Sequence, residues 1–316
     1  MRQIKGIIRR LIKILFGIEG ISLFAKKQKK NLQKLVYKRK YSAQDLVRAM
    51  RQMGMKNGSV IFLHSSMTQF YNYTGTAIEL IESILDVIGE EGTLLMPAYP
   101  PRKQLLFKLA RETNEIVFDA RNTPSGAGYL SEVFRTFPGV KRSINLQHSV
   151  CAWGKKADYF VGEHHLSEVA WDSFSPYYKL GHTKGIIFSL GLDAYLRNVT
   201  LIHCTEAVFR HKYLYFASFF GKELEYRFLN NNSEVGVHKM ILPVKGGVRS
   251  SRVIKKFFDK EKFKRKKLSN LDIEMVESTY MFNRCIELTE QGVCIYKRPS
   301  VLKYFKEGRF ISIDSE

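Results

Sequence analysis

The run Thr200-Leu-Ile-His203-Cys-Thr-Glu206 carries the strongest chemical signal in the chain. On a helix Thr200, His203 and Glu206 stand at i, i+3 and i+6, so each faces the next along one side, while Leu201, Ile202 and Val208 take the packed side. A histidine with a carboxylate one turn away suits a general base. The carboxylate fixes the tautomer and stabilises the imidazolium once a proton has been taken. The same spacing also occurs on ordinary helix surfaces. The HExxH arrangement that holds zinc is absent, and no metal is expected. A second cluster, His64-Ser65-Ser66, directly follows an apolar run. Hydroxyls and backbone N–H groups at the carboxyl end of a strand suit phosphate or amide contacts, although an ordinary polar loop reads the same way. Pro124-Ser-Gly-Ala-Gly128 puts small residues ahead of a helix, where a ligand can approach N–H groups or elements can pack closely. Neither a glycine fingerprint for nucleotides nor the G-x-S-x-G nucleophile elbow occurs, which disfavours a serine hydrolase of that type.

These groups need elements to hold them. Ser42 starts a helix through Met53, with Asp45 at the capping-box distance. After Asn57-Gly58, the wholly apolar run Val60-Ile61-Phe62-Leu63 reads as a strand buried on both faces. A polar loop from His64 to Gly75, a helix over Thr76 to Ile88 and a strand at Thr93 to Met96 complete a βαβ unit. The pattern continues with a helix from Ser125 to Phe137, strands near Ser149–Trp153 and Gly185–Leu190, and a helix from Val199 to about Arg210. The expected fold is therefore α/β: a mainly parallel central sheet flanked by helices. Alternating pieces at Lys239–Pro243 and Gly292–Tyr296 indicate an antiparallel extension.

The 316 residues carry a net charge of +21, unevenly placed. Residues 1–40 contribute +12 and residues 252–267 contribute +7, so the body is nearly neutral. Ile4, Ile7, Ile8, Leu11, Ile12, Leu15 and Phe16 form an apolar stripe with Arg2, Lys5, Arg9 and Lys13 off it. This is a basic amphipathic helix, suited to an anionic membrane surface or to packing on the domain. Residues 1–40 are read as an extension and 41–316 as a single domain with a lysine-rich insertion near 252–267. Four cysteines without CxxC spacing fit a reducing compartment, and the apolar runs are too short to span a bilayer. A cytoplasmic protein, peripheral at the inner membrane face, is expected.

Several segments taken in order resemble the aminoglycoside 3-N-acetyltransferase (antibiotic N-acetyltransferase) family. They are His64-Ser-Ser-Met67, Gly92-Thr-Leu-Leu-Met-Pro97, Pro124-Ser-Gly-Ala-Gly128 with Phe134-Arg135, and Arg142-Ser143. His148-Ser149 with Ala152-Trp153-Gly154, Ser175-Pro176, and Gly191 with Thr200-x-x-His203-x-x-Glu206 continue the series. The likeness is close over about residues 42 to 210. It implies an acetyl-CoA-dependent enzyme that acetylates an amine directly, without a covalent enzyme intermediate. It also implies His203 as general base, Glu206 as its orienting partner and Thr200 beside them. Coenzyme A would meet the loop of His64, Ser65, Ser66, Met67, Thr68 and Phe70, with Ser143 lining the site.

One departure bears on the acceptor. The family's Arg-Ser-x-His-Pro stretch reads Arg142-Ser-Ile-Asn145-Leu146 here, and Arg197 stands beside Asn198 where acceptor contacts are expected. Aminoglycosides are polycations and call for acidic pockets, for which Glu163, Glu168 and Asp172 are the local candidates. The acceptor expected from this charge balance is an amine-bearing sugar, nucleotide- or lipid-linked in surface-glycan assembly. Two other readings remain: a basic protein gripping nucleic acid or membrane through the lysines and Phe257, Phe258 and Phe263 of the second cluster, and a family member that binds coenzyme A without turnover. Nucleic acid is disfavoured because no known module for it appears; a homodimer is left open.

Overall fold

A computed structural model describes residues 36–101, 116–192, 199–244, 251–293, 296, 303–306 and 309–312. The amphipathic N-terminal stripe falls outside the described residues. In chain order the first half comprises α1 (Ala43–Gln52), β1 (Val60–Ser65), α2 (Ala77–Ile88), β2 (Thr93–Pro97), β3 (Ile116–Asp119), α3 (Tyr129–Arg135), β4 (Lys141–Arg142) and β5 (Val150–Gly154). There follow α4 (Ala157–Val161), α5 (Pro176–Gly181), β6 (Gly185–Leu190), α6 (Cys204–Phe209), α7 (Leu214–Ala217), β7 (Phe220–Leu229) and β8 (Val235–Pro243). Then come α8 (Ser251–Phe257), β9 (Phe263–Leu268), β10 (Leu271–Glu277) and α9 (Ser278–Glu290).

A seven-stranded sheet of order β4-β5-β2-β1-β6-β10-β9 forms the centre. Its middle three strands, β2, β1 and β6, run parallel. Antiparallel strands extend it on both sides: β5 and β4 beyond β2, and β10 and β9 beyond β6. The parallel centre is the part the βαβ pattern specified. Along β1 the side chains alternate between two cores. Ile61 and Leu63 join Leu46, Met50, Leu80 and Ile84 from α1 and α2. Phe62 joins Phe160, Leu180, Met281 and Cys285 from α4, α5 and α9. Burying each large apolar side chain so is worth about 1.5–3 kcal/mol, which is why this strand has no polar residue before His64. Capping boxes close the starts of α1 (Ser42 with Asp45) and α2 (Thr76 with Glu79), as the spacing indicated.

A smaller sheet, β3-β7-β8, packs on the second core, with Phe118, Tyr226, Phe228 and Met240 in the same apolar cluster as Phe62. The two sheets are tied at one side chain. Asn231, in the β7–β8 turn, accepts the Arg142 N–H at 2.9 Å and donates to the Arg142 carbonyl at 2.8 Å.

Two helix expectations change. The helix after Pro124 begins only at Tyr129, because Gly128 holds φ of 122° and Gly126 lies against the backbone of Pro101. The segment from Val199 to Arg210 divides into a 3-10 turn, Thr200–His203, and then α6. The lysine-rich stretch is α8 plus the edge strand β9. Its cations face acids on β10 and at its end: Arg265 with Glu274 (3.1 Å) and Lys262 with Glu277 (3.2 Å). Phe258 is buried, and Phe257 and Phe263 pack against the same core. These rings are therefore committed to the interior and do not form a stacking platform for bases.

Candidate active site

The 3-10 turn brings Thr200 and His203 to one side, since residues i and i+3 eclipse in that geometry. His203 Nδ1 stands 2.5 Å from Glu206 Oε1. An ionised carboxylate only accepts, so Nδ1 carries the hydrogen and the Nε2 lone pair is left for an incoming proton. Glu206 is almost fully buried, with 3% of its side chain exposed, whereas His203 keeps 17%. The carboxylate is thus shielded while an edge of the ring stays accessible. Thr200 is nearly buried, and its hydroxyl lies beside the Tyr177 phenol.

Two further groups meet the His203 ring. The Trp171 indole stacks on it, with centroids 4.6 Å apart and planes 18° from parallel. The Tyr296 hydroxyl lies 3.5 Å from Nδ1. His148 contacts Trp171 at 4.7 Å and stands 6.0 Å from His203. A series of rings connects this site to the end of β1: His148 to Tyr177 at 6.2 Å, Tyr177 to Phe62 at 5.4 Å, and Phe62 to His64 at 4.8 Å. The two sequence clusters that could do chemistry are thus linked through packed aromatic rings, and the His64 cluster stands at the carboxyl end of β1, where open α/β sheets bind ligands. Trp171, His148 and Tyr296 carry no site role in the sequence reading, although His148 stands in one of the motifs and Asp172, beside Trp171, is an acidic candidate.

The loop after β1 is fixed from several sides. Ser66 N–H donates to the Leu190 carbonyl at 2.9 Å, and Asn270 donates to the Gln69 carbonyl. Gly191, with φ of 73°, permits the approach: a Cβ there would meet Gln69 Cβ at 2.8 Å and Leu271 at 3.0 Å. Within the loop Ser65, Ser66 and Met67 are half-buried and Thr68 is exposed, with Ser66 Oγ 3.0 Å from Thr68 Oγ1. His64 is 5% exposed and packs on Phe62. Phe70 is part of the apolar core, 5% exposed and edge-on to Tyr73 at 5.8 Å.

Ser143 lies deeper, on the sheet side of the same region. It is fully buried; its hydroxyl accepts the Val150 N–H and donates to His164 Nδ1, each at 2.9 Å. Its neighbour Arg142 is buried as well. The guanidinium donates to the carbonyls of Thr123 and Ala98 and to Ser149 Oγ at 3.3 Å, and burial lowers its pKa to about 10. Arg142 so ties the ends of β2 and β5 to the Pro124–Gly128 segment. The acidic candidates are occupied internally. Glu163 pairs with Lys179 at 2.6 Å and Glu168 with Arg210. The Asp172 carboxylate accepts the N–H groups of Glu168, Val169 and Phe174 at 2.8, 3.2 and 3.2 Å. Arg197 and Asn198 lie outside the described residues. Among the described residues no group of three or more His, Cys, Asp or Glu is placed to hold a metal ion, and no helix is long and apolar enough to cross a membrane.

Comparison with known proteins matches this arrangement to one family. The aminoglycoside 3-N-acetyltransferase family model matches residues 62–290. The SPbeta prophage-derived aminoglycoside N(3')-acetyltransferase-like protein YokD of Bacillus subtilis (strain 168) is 30% identical over 164 residues, covering 48% of this chain and 60% of that protein. Aminoglycoside N(3)-acetyltransferase III of Pseudomonas aeruginosa is 29% identical over 179 residues, 53% of this chain and 65% of that one. The chain thus aligns with somewhat under two thirds of the length of these relatives. The solved structure of AAC-IIIb with CoASH superposes with a TM-score of 0.65 at 19% identity, covering 81% of this chain and 99% of that one, which shows a shared fold. With the family model spanning the parallel sheet, the His203–Glu206 pair and the strands beyond it, the chain belongs to the aminoglycoside 3-N-acetyltransferase family.

Proposed function

We propose that the protein is an acetyl-CoA-dependent N-acetyltransferase that moves the acetyl group directly onto an amine of an aminoglycoside or another amine-bearing sugar. The observation that carries the reading is the His203–Glu206 pair, with its carboxylate buried and its imidazole partly exposed. An alkylammonium must lose a proton before it can attack a thioester. In this reading the neutral amine attacks, His203 Nε2 takes a proton from its nitrogen as that nitrogen bonds to the acetyl carbon, and the imidazolium returns the proton to the departing sulfur. The carbon–sulfur bond then breaks, and coenzyme A leaves as the free thiol. Proton removal of this kind typically contributes ~10²–10⁴-fold in rate. The exposed face of Ser65, Ser66, Met67 and Thr68 is the surface proposed for coenzyme A; it fits because its hydroxyls stand at the carboxyl end of β1 on a loop already fixed in shape. CoASH is named in the AAC-IIIb structure that shares the fold.

The acceptor favoured here is an amino sugar with few charges. Glu163 and Glu168 are each paired with a cation, Lys179 and Arg210, which lowers the net negative charge they offer a polycation and supports that choice. Free-thiol release from acetyl-CoA, measured with a panel of aminoglycosides and amino-sugar nucleotides, tests the reading. Turnover with an amine sugar and its loss by a hundredfold or more in His203→Ala are expected; full turnover in a folded His203→Ala protein refutes the mechanism. Rapid acetylation of aminoglycosides with none of the sugar nucleotides refutes the acceptor preference. The basic N-terminal segment is proposed to hold the enzyme at anionic lipid, for which sedimentation with anionic but not neutral vesicles is the test.

A further inference from the structure

We infer that Trp171 is a positioning residue for the general base, and that Ser143, His164 and Asp172 act on the reaction through it. The inference rests on the proposed role of His203. Trp171 is 2% exposed, so substrate cannot use it as a binding wall. Its indole nevertheless covers a face of His203 at 4.6 Å. The base is thereby clamped twice: Glu206 fixes the Nδ1 edge, and Trp171 fixes the plane of the ring. Between them these contacts remove both rotations that would swing Nε2 away from an incoming amine.

The groups around Trp171 have no other evident task. The Asp172 carboxylate gathers three backbone N–H groups from Glu168 to Phe174, closing the turn that presents Trp171. On the other side Ala170 is held through a buried chain. Its carbonyl can only accept, so His164 Nε2 carries the hydrogen at 3.1 Å, and Nδ1 accepts from Ser143. Ser143 in turn is locked to Val150 on β5. The position of the stacked ring is thus referred back to the sheet. The other groups facing His203 are Glu206, the Tyr296 hydroxyl and His148.

The test combines kinetics with fluorescence. Trp171→Leu should lower kcat by roughly 3- to 30-fold, the range of a desolvated cation–π contact, with KM for acetyl-CoA changed less than twofold. Trp171→Phe, which keeps a π face, should recover most of that loss. In a Trp153→Phe background Trp171 is the sole indole, and an imidazolium against it quenches its emission. Emission should fall in one step as pH decreases, and His203→Gln should abolish the step while His148→Gln preserves it. Wild-type kcat in a folded Trp171→Leu protein overturns the inference, as does a step that survives His203→Gln. The fluorescence experiment needs no turnover, so it reads the stack even if no acceptor is ever acetylated; conversely, a failed stack leaves the transferase reading intact.

Discussion

Replacing Glu206 by glutamine removes one charge from the site while keeping its shape. In the folded protein the carboxylate is 3% exposed and lies 2.5 Å from His203 Nδ1, so water cannot take its place. A hydrogen bond to a charged group contributes about 1.5–3 kcal/mol, and here it strengthens as the ring becomes an imidazolium. A loss of about 2 kcal/mol from the transition state corresponds to roughly 30-fold in kcat. The amide can still accept the Nδ1 hydrogen, so the tautomer survives and the loss stays below that of His203→Ala. Thiol release at saturating acetyl-CoA and acceptor gives kcat, and calorimetry with coenzyme A gives binding, which should stay within twofold of the parent. A kcat within threefold of wild type in a folded Glu206→Gln protein would refute the pairing as a functional device. Equal losses in kcat and coenzyme A affinity would point to general damage.

Arg142→Met removes the buried donor to the Thr123 and Ala98 carbonyls, of which Ala98 keeps the Ser149 hydroxyl at 2.9 Å. With one part-buried carbonyl, Thr123, losing its donor at ~1–3 kcal/mol, urea midpoints should report a loss of about 1–3 kcal/mol, and an unchanged midpoint would exclude this keystone role. Gly191→Ala forces a left-handed residue and a contact on Gln69, costing at least ~1 kcal/mol and raising KM for acetyl-CoA several-fold; an unchanged KM refutes the loop's part in binding. Burial pushes His164 down to about 3, so between pH 6.5 and that value the unfolded chain takes a proton that the folded protein refuses. Stability therefore falls as pH drops through this window, by up to about 1.4 kcal/mol per unit, and His238, also lowered by burial, adds in the same direction. Equal acid sensitivity in wild type and His164→Asn, followed by denaturation at pH 7 and 5, would refute it.

The sequence disclosed those parts of the molecule whose cause is local. A wholly apolar β1, two capping boxes and the His203–Glu206 spacing each follow from residues within a few positions of one another. What it concealed was set by distant packing. The stack on His203 needs Trp171, brought in by a turn more than thirty residues away, and nothing in the spacing of Trp171 distinguishes it from any buried aromatic. Ser143 carries a hydroxyl like those of Ser65 and Ser66, and only its depth inside the fold separates support from contact. The burial of Phe70 is hidden for the same reason: a motif does not say which side of the backbone each residue faces. The lysine cluster looked like an adhesive surface because composition does not reveal that acids on β10 stand opposite it.

The Asn231 amide has a wider consequence. By filling both outward backbone groups of Arg142, it ends hydrogen bonding at one margin of the seven-stranded sheet without adding another strand. At the opposite margin β9 carries exposed Lys264 and Lys266, lysines of the kind that blunt an edge strand, beside Arg265 and Lys267, which face acids on β10. Both borders are thus guarded, one by saturation and the other by charge. Among the described residues, growth of the seven-stranded sheet from molecule to molecule is hindered at either end.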